Sequence, residues 1–219
     1  MFAHMTRVIS RLLRRTALAA LCCAVLGLPG AQAEPGSRIG PQDAVPERPR
    51  LPDANLAAAR SELLRELYQR LREAESYESA ELIASAIEQL WRRSGSDTID
   101  LLMSRVGILI ESKKLDTALR ILDFVIELAP DYPEGWTRRA EIFFVKKEIR
   151  KSLDDLRQAL TLDPSHYKAI QGLGLLMREL GDNKAALKAA RKVLKVHPYL
   201  EDALQDEQEL SREVEGQGI

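Results

Sequence analysis

Side chains that carry out chemistry are scarce in this chain. It holds three histidines and two cysteines in 219 residues, and His4, Cys22 and Cys23 all stand near the N-terminus. That leaves His166 and His197 as the imidazoles of the main body. An imidazole pair ligates a metal or moves a proton when its members converge. These two are 31 residues apart, close to Pro164 and Pro198, where a turn or a helix end is the plainer role. Gly172-Leu173-Gly174 offers the glycines of a phosphate loop, but it lies within a helical pattern with no strand before it. No G-x-S-x-G, H-E-x-x-H or Walker sequence occurs. Carboxylates abound, but on amphipathic helices they form a solvated face. No catalytic residue, metal ligand or cofactor site is therefore expected, and the chain is read as non-enzymatic.

Charge narrows the partners. The formal net charge is −1, with 32 basic and 33 acidic residues. Residues 1–33 hold Arg7, Arg11, Arg14 and Arg15 and no acid; removing those four leaves 28 basic against 33 acidic residues, a net charge of −5. A mildly acidic body lacks the clustered cations that displace counterions from nucleic acid, so no nucleic-acid partner is expected.

The N-terminal 33 residues read as a cleavable export signal. Four arginines lead into an apolar run from Thr16 to Leu28, Pro29-Gly30 breaks it, and Ala31-Gln32-Ala33 supplies small residues for a signal peptidase. Cleavage is expected after Ala33. The run is shorter than the ~20 residues that span a bilayer, so an uncleaved membrane anchor is the alternative reading, and no stable membrane insertion is expected after cleavage. Arg14-Arg15 resembles a twin-arginine signal without the usual polar residue before the pair, which leaves the export route open. Both cysteines leave with the signal, so the mature chain has neither disulfide nor thiolate. Residues 34–53 follow with Pro35, Pro41, Pro46, Pro49 and Pro52, a density that prevents regular structure and reads as a flexible tether. Asp53 is placed to cap the first helix beyond it.

The elements that would position any site are helices. Aromatic residues make up only 5% of the chain, and Ala and Leu are plentiful, a balance that favours helix over sheet. Leu56, Leu63, Leu64, Leu67 and Leu71 recur at helical spacing; after a turn near Ser76 so do Ala80, Ile83, Ala84, Ile87, Leu90 and Trp91. Further pairs are expected at about 98–112 and 116–128, 133–146 and 150–162, and 166–180 and 183–196. A last amphipathic stretch at 200–214 has Leu200, Ala203, Leu204, Leu210 and Val214 on one face. Pro130, Pro164 and Pro198 close similar phrases at intervals of 34 residues. A fixed period of that length marks a stacked helical repeat.

Within the period the residue types also recur. One unit has Trp136, Ala140, Phe143, Ser152, Leu156, Ala159 and Pro164. The next has Ile170, Gly174, Met177, Ala186, Ala190, Val193 and Pro198. The one before has Leu102, Val106, Leu109, Ala118, Leu122, Val125 and Pro130, with Val106 replacing a small residue beside Gly107. This pattern resembles the tetratricopeptide (TPR) repeat family, and the resemblance extends to bacterial exported members. It implies an all-α, right-handed superhelix of about four helix-turn-helix repeats with a C-terminal capping helix. The solenoid would span 54–215, with repeats at about 61–96, 99–132, 133–166 and 167–200 and the cap at 200–215. The first repeat is divergent, with Tyr68 at the small position and no closing proline. Small residues at the helix crossings explain the pattern physically: Ala140 with Ser152 and Gly174 with Ala186 are the expected close approaches.

The resemblance further implies a concave surface that binds a protein or peptide. By family position its lining is Met103, Gly107 and Ile110, then Thr137, Glu141 and Phe144, then Gln171, Leu175 and Arg178. The basic and asparagine clamp that chaperone-binding relatives use for a terminal carboxylate is not reproduced, although Arg138 and Lys168 are near. The expected role is a protein-binding adaptor in the bacterial periplasm, with a structural or self-associating envelope component as the alternative. Trp91 and Trp136 are expected in the core. The acidic tail, from Glu201 to Glu215, is read as solubilising first and as a contact for a basic partner second.

Overall fold

From residue 97 onward the turns repeat with the same step as the prolines. The computed structural model describes residues 54–216, with side chains from residue 58 onward. The expected signal peptide, its cleavage point at Ala33, the tether and the Asp53 cap lie outside the described residues. The described residues belong to one unit, Pro46–Ile219. They form nine α-helices and no strand: α1 Ala54–Arg72, α2 Tyr77–Trp91, α3 Asp97–Glu111, α4 Leu115–Leu128, α5 Pro133–Val145, α6 Ile149–Leu162, α7 Tyr167–Glu179, α8 Asn183–Leu194 and α9 Glu201–Glu215.

Within each of the last three pairs the first helix ends in a Schellman motif. The amides of Lys114, Glu148 and Asp182 reach back to the carbonyls of Leu109, Phe143 and Met177, at 2.8, 2.8 and 2.9 Å. The motif needs a left-handed residue at its corner. Lys113, Lys147 and Gly181 take it with φ of 58°, 61° and 77°. Two of the three corners are thus lysines in a conformation that costs an L-residue roughly 1–2 kcal/mol. Between pairs, the amides of Ala129, Asp163 and His197 each bond the carbonyl four residues back, and Tyr132, His166 and Leu200 each bond the carbonyl three back. The backbone therefore bends alike every 34 residues, although the side chains at these positions differ.

Local chemistry sets the starts of the helices. Ser76 and Ser79 form a capping box at α2, with Ser76 Oγ accepting from the Ser79 amide at 3.2 Å. Pro133 opens α5, where its missing N–H is no loss. The Asp182 carboxylate caps α8 at the Ala185 amide, at 2.9 Å. His166 caps α7 by accepting from the Ala169 amide at Nδ1, at 3.3 Å.

From α3 onward each helix packs on the next, and α5 also touches α7. The crossings are close where small residues meet. Ser152 Oγ donates to the Ala140 carbonyl at 2.9 Å and is buried there. At Gly174 a Cβ would sit 3.2 Å from Ala189 Cβ and 3.8 Å from the Ala186 carbonyl, so Ala189 makes the closest approach of that crossing and Ala186 the second. Arg139 ties three helices together: it forks onto Asp155 at 2.8 Å through both Nε and NH2, and reaches Asp123 at 2.9 Å. At the far end α9 packs on α8 and closes the stack with Ala203 and Leu210, the role expected of a cap.

The first pair behaves differently. Helices α1 and α2 pack on each other, but α2 shares no extensive packing with α3. Their apolar side, with Tyr68, Leu71, Ile87 and Trp91, forms one cluster with Tyr167, Ile170, Val193 and Ala203 of the last repeat and cap. The outer face of α3 is left bare as a result. Leu101 and Ile108 are 71% and 63% exposed, whereas Ile142 and Leu176, one and two steps of 34 beyond Ile108, are 2% and 0% exposed.

Replacing Ala186 by Leu inserts three carbons into the α7–α8 crossing. The expected result is a loss of ~1–3 kcal/mol and a melting temperature lower by several degrees in calorimetry, with helical content kept below the transition. An unchanged melting curve would show that the crossing lies elsewhere.

Candidate protein-binding face

Helix α5 carries a charged row beside the expected concave face, of which only Glu141 belongs to the expected lining. Glu134, Arg138 and Glu141 follow one another at spacings of four and three, which sets them on one side of the helix. Arg138 Nε donates to Glu134 Oε1 at 2.8 Å, and its NH1 reaches Glu141 Oε2 at 3.3 Å. One guanidinium thus serves two carboxylates. Burial alone would raise the Glu134 pKa, but Arg138 and then His166 outweigh it and hold the carboxyl at about 2. For Glu141 burial wins and pushes its carboxyl up, with Arg138 offsetting part of the effect. The depressed Glu134 value stabilises the fold above the unfolded value of 4.5, and that contribution is lost as pH falls toward 2.

The loop before α7 brings His166 to the same place. Its Nε2 lies 3.3 Å from Glu134 Oε2 without hydrogen-bond alignment, and both atoms are buried and otherwise unpartnered. The ring stacks flat on Trp91, with centroids 3.8 Å apart and planes 7° from parallel. Tyr167 leans against the same indole at 4.7 Å, and His197 meets the Tyr167 ring edge-on at 5.3 Å. Desolvation lowers the His197 pKa, so this imidazole is held neutral, and its Nδ1 is buried without a partner.

Trp91 closes helix α2, and its neighbours extend the contact. Its Nε1 donates to Tyr68 Oη at 3.0 Å, and that hydroxyl donates to Asp163 Oδ2 at 2.5 Å. The Tyr132 hydroxyl donates to the Trp91 carbonyl at 2.6 Å. Glu88, one turn earlier on α2, accepts from the Tyr167 hydroxyl at 3.0 Å and pairs with Lys168 Nζ at 2.7 Å. Lys168 also lies over the Trp91 ring, 5.8 Å from its centroid. Burial first, and then the adjacent carboxylates, push the Tyr68 and Tyr167 hydroxyls far above the usual phenol range.

The nine residues expected to line the face fall into three settings. On α3, Met103 and Ile110 are half-buried, and Gly107 is exposed with nothing within 4 Å of where a Cβ would stand. On α5, Thr137 is 2% exposed and donates to the Pro133 carbonyl at 3.0 Å; Glu141 and Phe144 are half-buried, with Lys147 Nζ 5.6 Å from the Phe144 ring centre. On α7, Gln171, Leu175 and Arg178 line a crevice closed from the other side by Ala203, Asp206 and Leu210 of α9. Arg178 pairs there with Asp206 and Glu209 at 3.0 and 2.9 Å. The acidic tail is matched within the chain in the same way, since Arg191 holds Glu207 and Glu215 at 3.0 and 2.8 Å.

Trp91 is in the core as expected, while Trp136 is half-buried and donates to the Pro130 carbonyl at 2.9 Å. Sequence reasoning missed the convergence of Trp91, His166, Tyr167 and Lys168. Four polar or aromatic residues at the ends of helices, where core packing does not require them, were the available signal. Both cations near the expected face, Arg138 and Lys168, are already paired with carboxylates of the same chain.

A run of stacked helix pairs with a constant 34-residue step defines a helical-repeat protein. No family model matches the chain. A TPR repeat-containing protein of Rhizobium etli is 35% identical over 144 residues, which cover 66% of this chain and 71% of the relative. The chain belongs to the TPR repeat-containing proteins. DnaJ homolog subfamily C member 3 of Rattus norvegicus is 28% identical over 101 residues, 46% of this chain and 20% of that much longer protein. Among solved structures, the first TPR of Spaghetti (RPAP3) bound to an HSP90 peptide aligns with a TM-score of 0.51 at 22% identity, covering 53% of this chain and 93% of that one. The Sgt2 TPR domain from Aspergillus fumigatus has the same TM-score and identity, covering 55% and 82%. These structures share the fold.

Replacing Arg138 by Met leaves two carboxylates in one partly buried pocket without a cation. The expected loss is ~3 kcal/mol in urea unfolding at pH 7, and less at pH 4, where protonation relieves the unpaired charge. The Arg138→Met, Glu134→Gln double variant should recover part of it. Equal losses at the two pH values would show that the pair contributes through packing and not through charge.

Proposed function

We propose that the chain is a non-enzymatic adaptor of the bacterial periplasm that holds a protein or peptide partner against the concave face of its repeats. Membership of the TPR family supports a protein partner, as does the HSP90 peptide in the RPAP3 structure. The observation that carries the reading is the open strip on α3. Gly107 is exposed with free space above it, and half-buried Met103 and Ile110 flank it on successive turns. A partner chain can approach the backbone closely there, with apolar contacts on either side. The internal pairing of Arg138 and Lys168 argues against a terminal carboxylate as the feature recognised. The basic n-region and the small-x-small site ending at Ala33 support export and a mature chain beginning at Glu34.

A second reading rests on a different observation. Exposed Leu101 and Ile108 on the bare outer face of α3 favour a role as a structural or self-associating component of an envelope assembly.

One experiment separates the two. The full-length protein is expressed with a C-terminal tag, and the periplasmic fraction is purified by affinity capture beside a Gly107→Arg variant. The arginine fills open space on a helix, so the melting temperature should hold. The expected result is a tagged protein starting at Glu34 and a partner lost by at least tenfold in the variant. Equal capture by both would remove α3 from the binding face. Absence of a partner, with a mass in light scattering that rises with concentration, would favour the second reading.

A further inference from the structure

The α1–α2 hairpin occupies a place that the repeat step does not give it. In the later repeats the position of Ile108 is covered by the preceding pair, as at Ile142 and Leu176. Here the preceding pair has left that position and lies across the last repeat and the cap. The link between the two places is short and irregular. Gly95 has φ of 90°, and the Ser94 amide and hydroxyl both bond Asp100 Oδ1 at 2.7 Å.

The contact made by the hairpin resembles an interface between two proteins more than a repeat-to-repeat seam. Its anchors are a tryptophan on an imidazole, a glutamate on a lysine and a tyrosine, and a tyrosine on an aspartate. Tryptophan and tyrosine anchors of this kind are enriched at docking sites. The fit is also incomplete. His166 Nε2 and Glu134 Oε2 are buried beside the Trp91 stack without aligned partners. Each carries a desolvation penalty that water would relieve if the hairpin lifted.

We propose that Tyr132, Asp163, His166, Tyr167 and Lys168 form a docking site for a helix carrying Glu-x-x-Trp, and that the Glu88–Trp91 segment of α2 holds this site in cis. A competing helix of the same chemistry takes the site by displacing the hairpin, which then stacks on the bare Leu101 and Ile108 face of α3 in the ordinary repeat position. The inference deepens the protein-binding reading and rests on it for the existence of an outside partner. The site itself can be tested with the chain's own segment.

The test uses the mature chain, a Glu88→Lys variant that sets two lysines against each other, and a Trp91→Ala variant that removes the stack. The probe is a fluorophore-labelled synthetic peptide of residues 77–93, followed by anisotropy. Acrylamide quenching of Trp91 in a Trp136→Phe background reports opening in the wild-type and Glu88→Lys chains. The wild-type chain should protect Trp91 and bind the peptide weakly. Both variants should bind it at least tenfold more tightly, and Glu88→Lys should expose Trp91. Adding Lys168→Glu to Trp91→Ala should abolish the gain, whereas adding Gly107→Arg should leave it intact. That last arm separates failure of this site from failure of the α3 strip. The proposal is overturned if neither variant gains peptide binding. It is overturned equally if both variants lose helix throughout the chain in one cooperative transition, since the hairpin would then be an inseparable part of the core.

Discussion

A pair of helices cannot bury its own apolar flanks, and the whole structure follows from that constraint. Each pair needs a neighbour on either side, so stability accumulates through interfaces between adjacent units. The residue pattern answers this with small side chains at the crossings and a corner of constant geometry. Ser152 lies against Ala140, Gly174 lies against Ala189, and left-handed residues stand at 113, 147 and 181. The two ends of the stack are where the constraint is hardest to meet. Helix α9 meets it at one end by covering α8. At the other end it is not met at all, because Leu101 and Ile108 face solvent.

Charge is arranged with the same economy. Three cations on or beside the expected binding face have a carboxylate of this chain at hand: Arg138 with Glu134 and Glu141, Lys168 with Glu88, Arg178 with Asp206 and Glu209. The exposed pairs among them contribute little to stability. Their larger consequence is for recognition, since a free carboxylate finds these cations already engaged. What stays open is the apolar and backbone surface around Gly107, which suits a side-chain-poor or apolar partner segment better than an anionic one.

The helices and their order were legible because they depend on neighbours within one repeat. The period of 34 residues, Pro133 at N1, the turn at Gly181 and the terminal amphipathic helix all appear in the structure within a residue or two of their expected places. The lysine corners at 113 and 147 were not legible, since nothing in a lysine announces a positive φ; only the shared step with Gly181 could have pointed to them. The expected lining was legible as a set of positions and not as a set of environments. Thr137 is buried, and the Gln171, Leu175 and Arg178 edge faces α9, because burial depends on which helix lies opposite.

The sequence by itself determined that this protein is a stack of helix pairs with a 34-residue step, a small-residue seam and a terminal cap. Those features are encoded in spacings within a repeat, where one local rule is written three times. Only the tertiary structure decided where the divergent first pair goes. Tyr68 meets Asp163 and Glu88 meets Tyr167, contacts separated by 95 and 79 residues, and no periodicity specifies them. A pair that lacks the repeat's small residue and closing proline has no fixed seam to follow, so it settles by apolar burial, aromatic stacking and opposite charge across the last repeat, the cap and the start of helix α5.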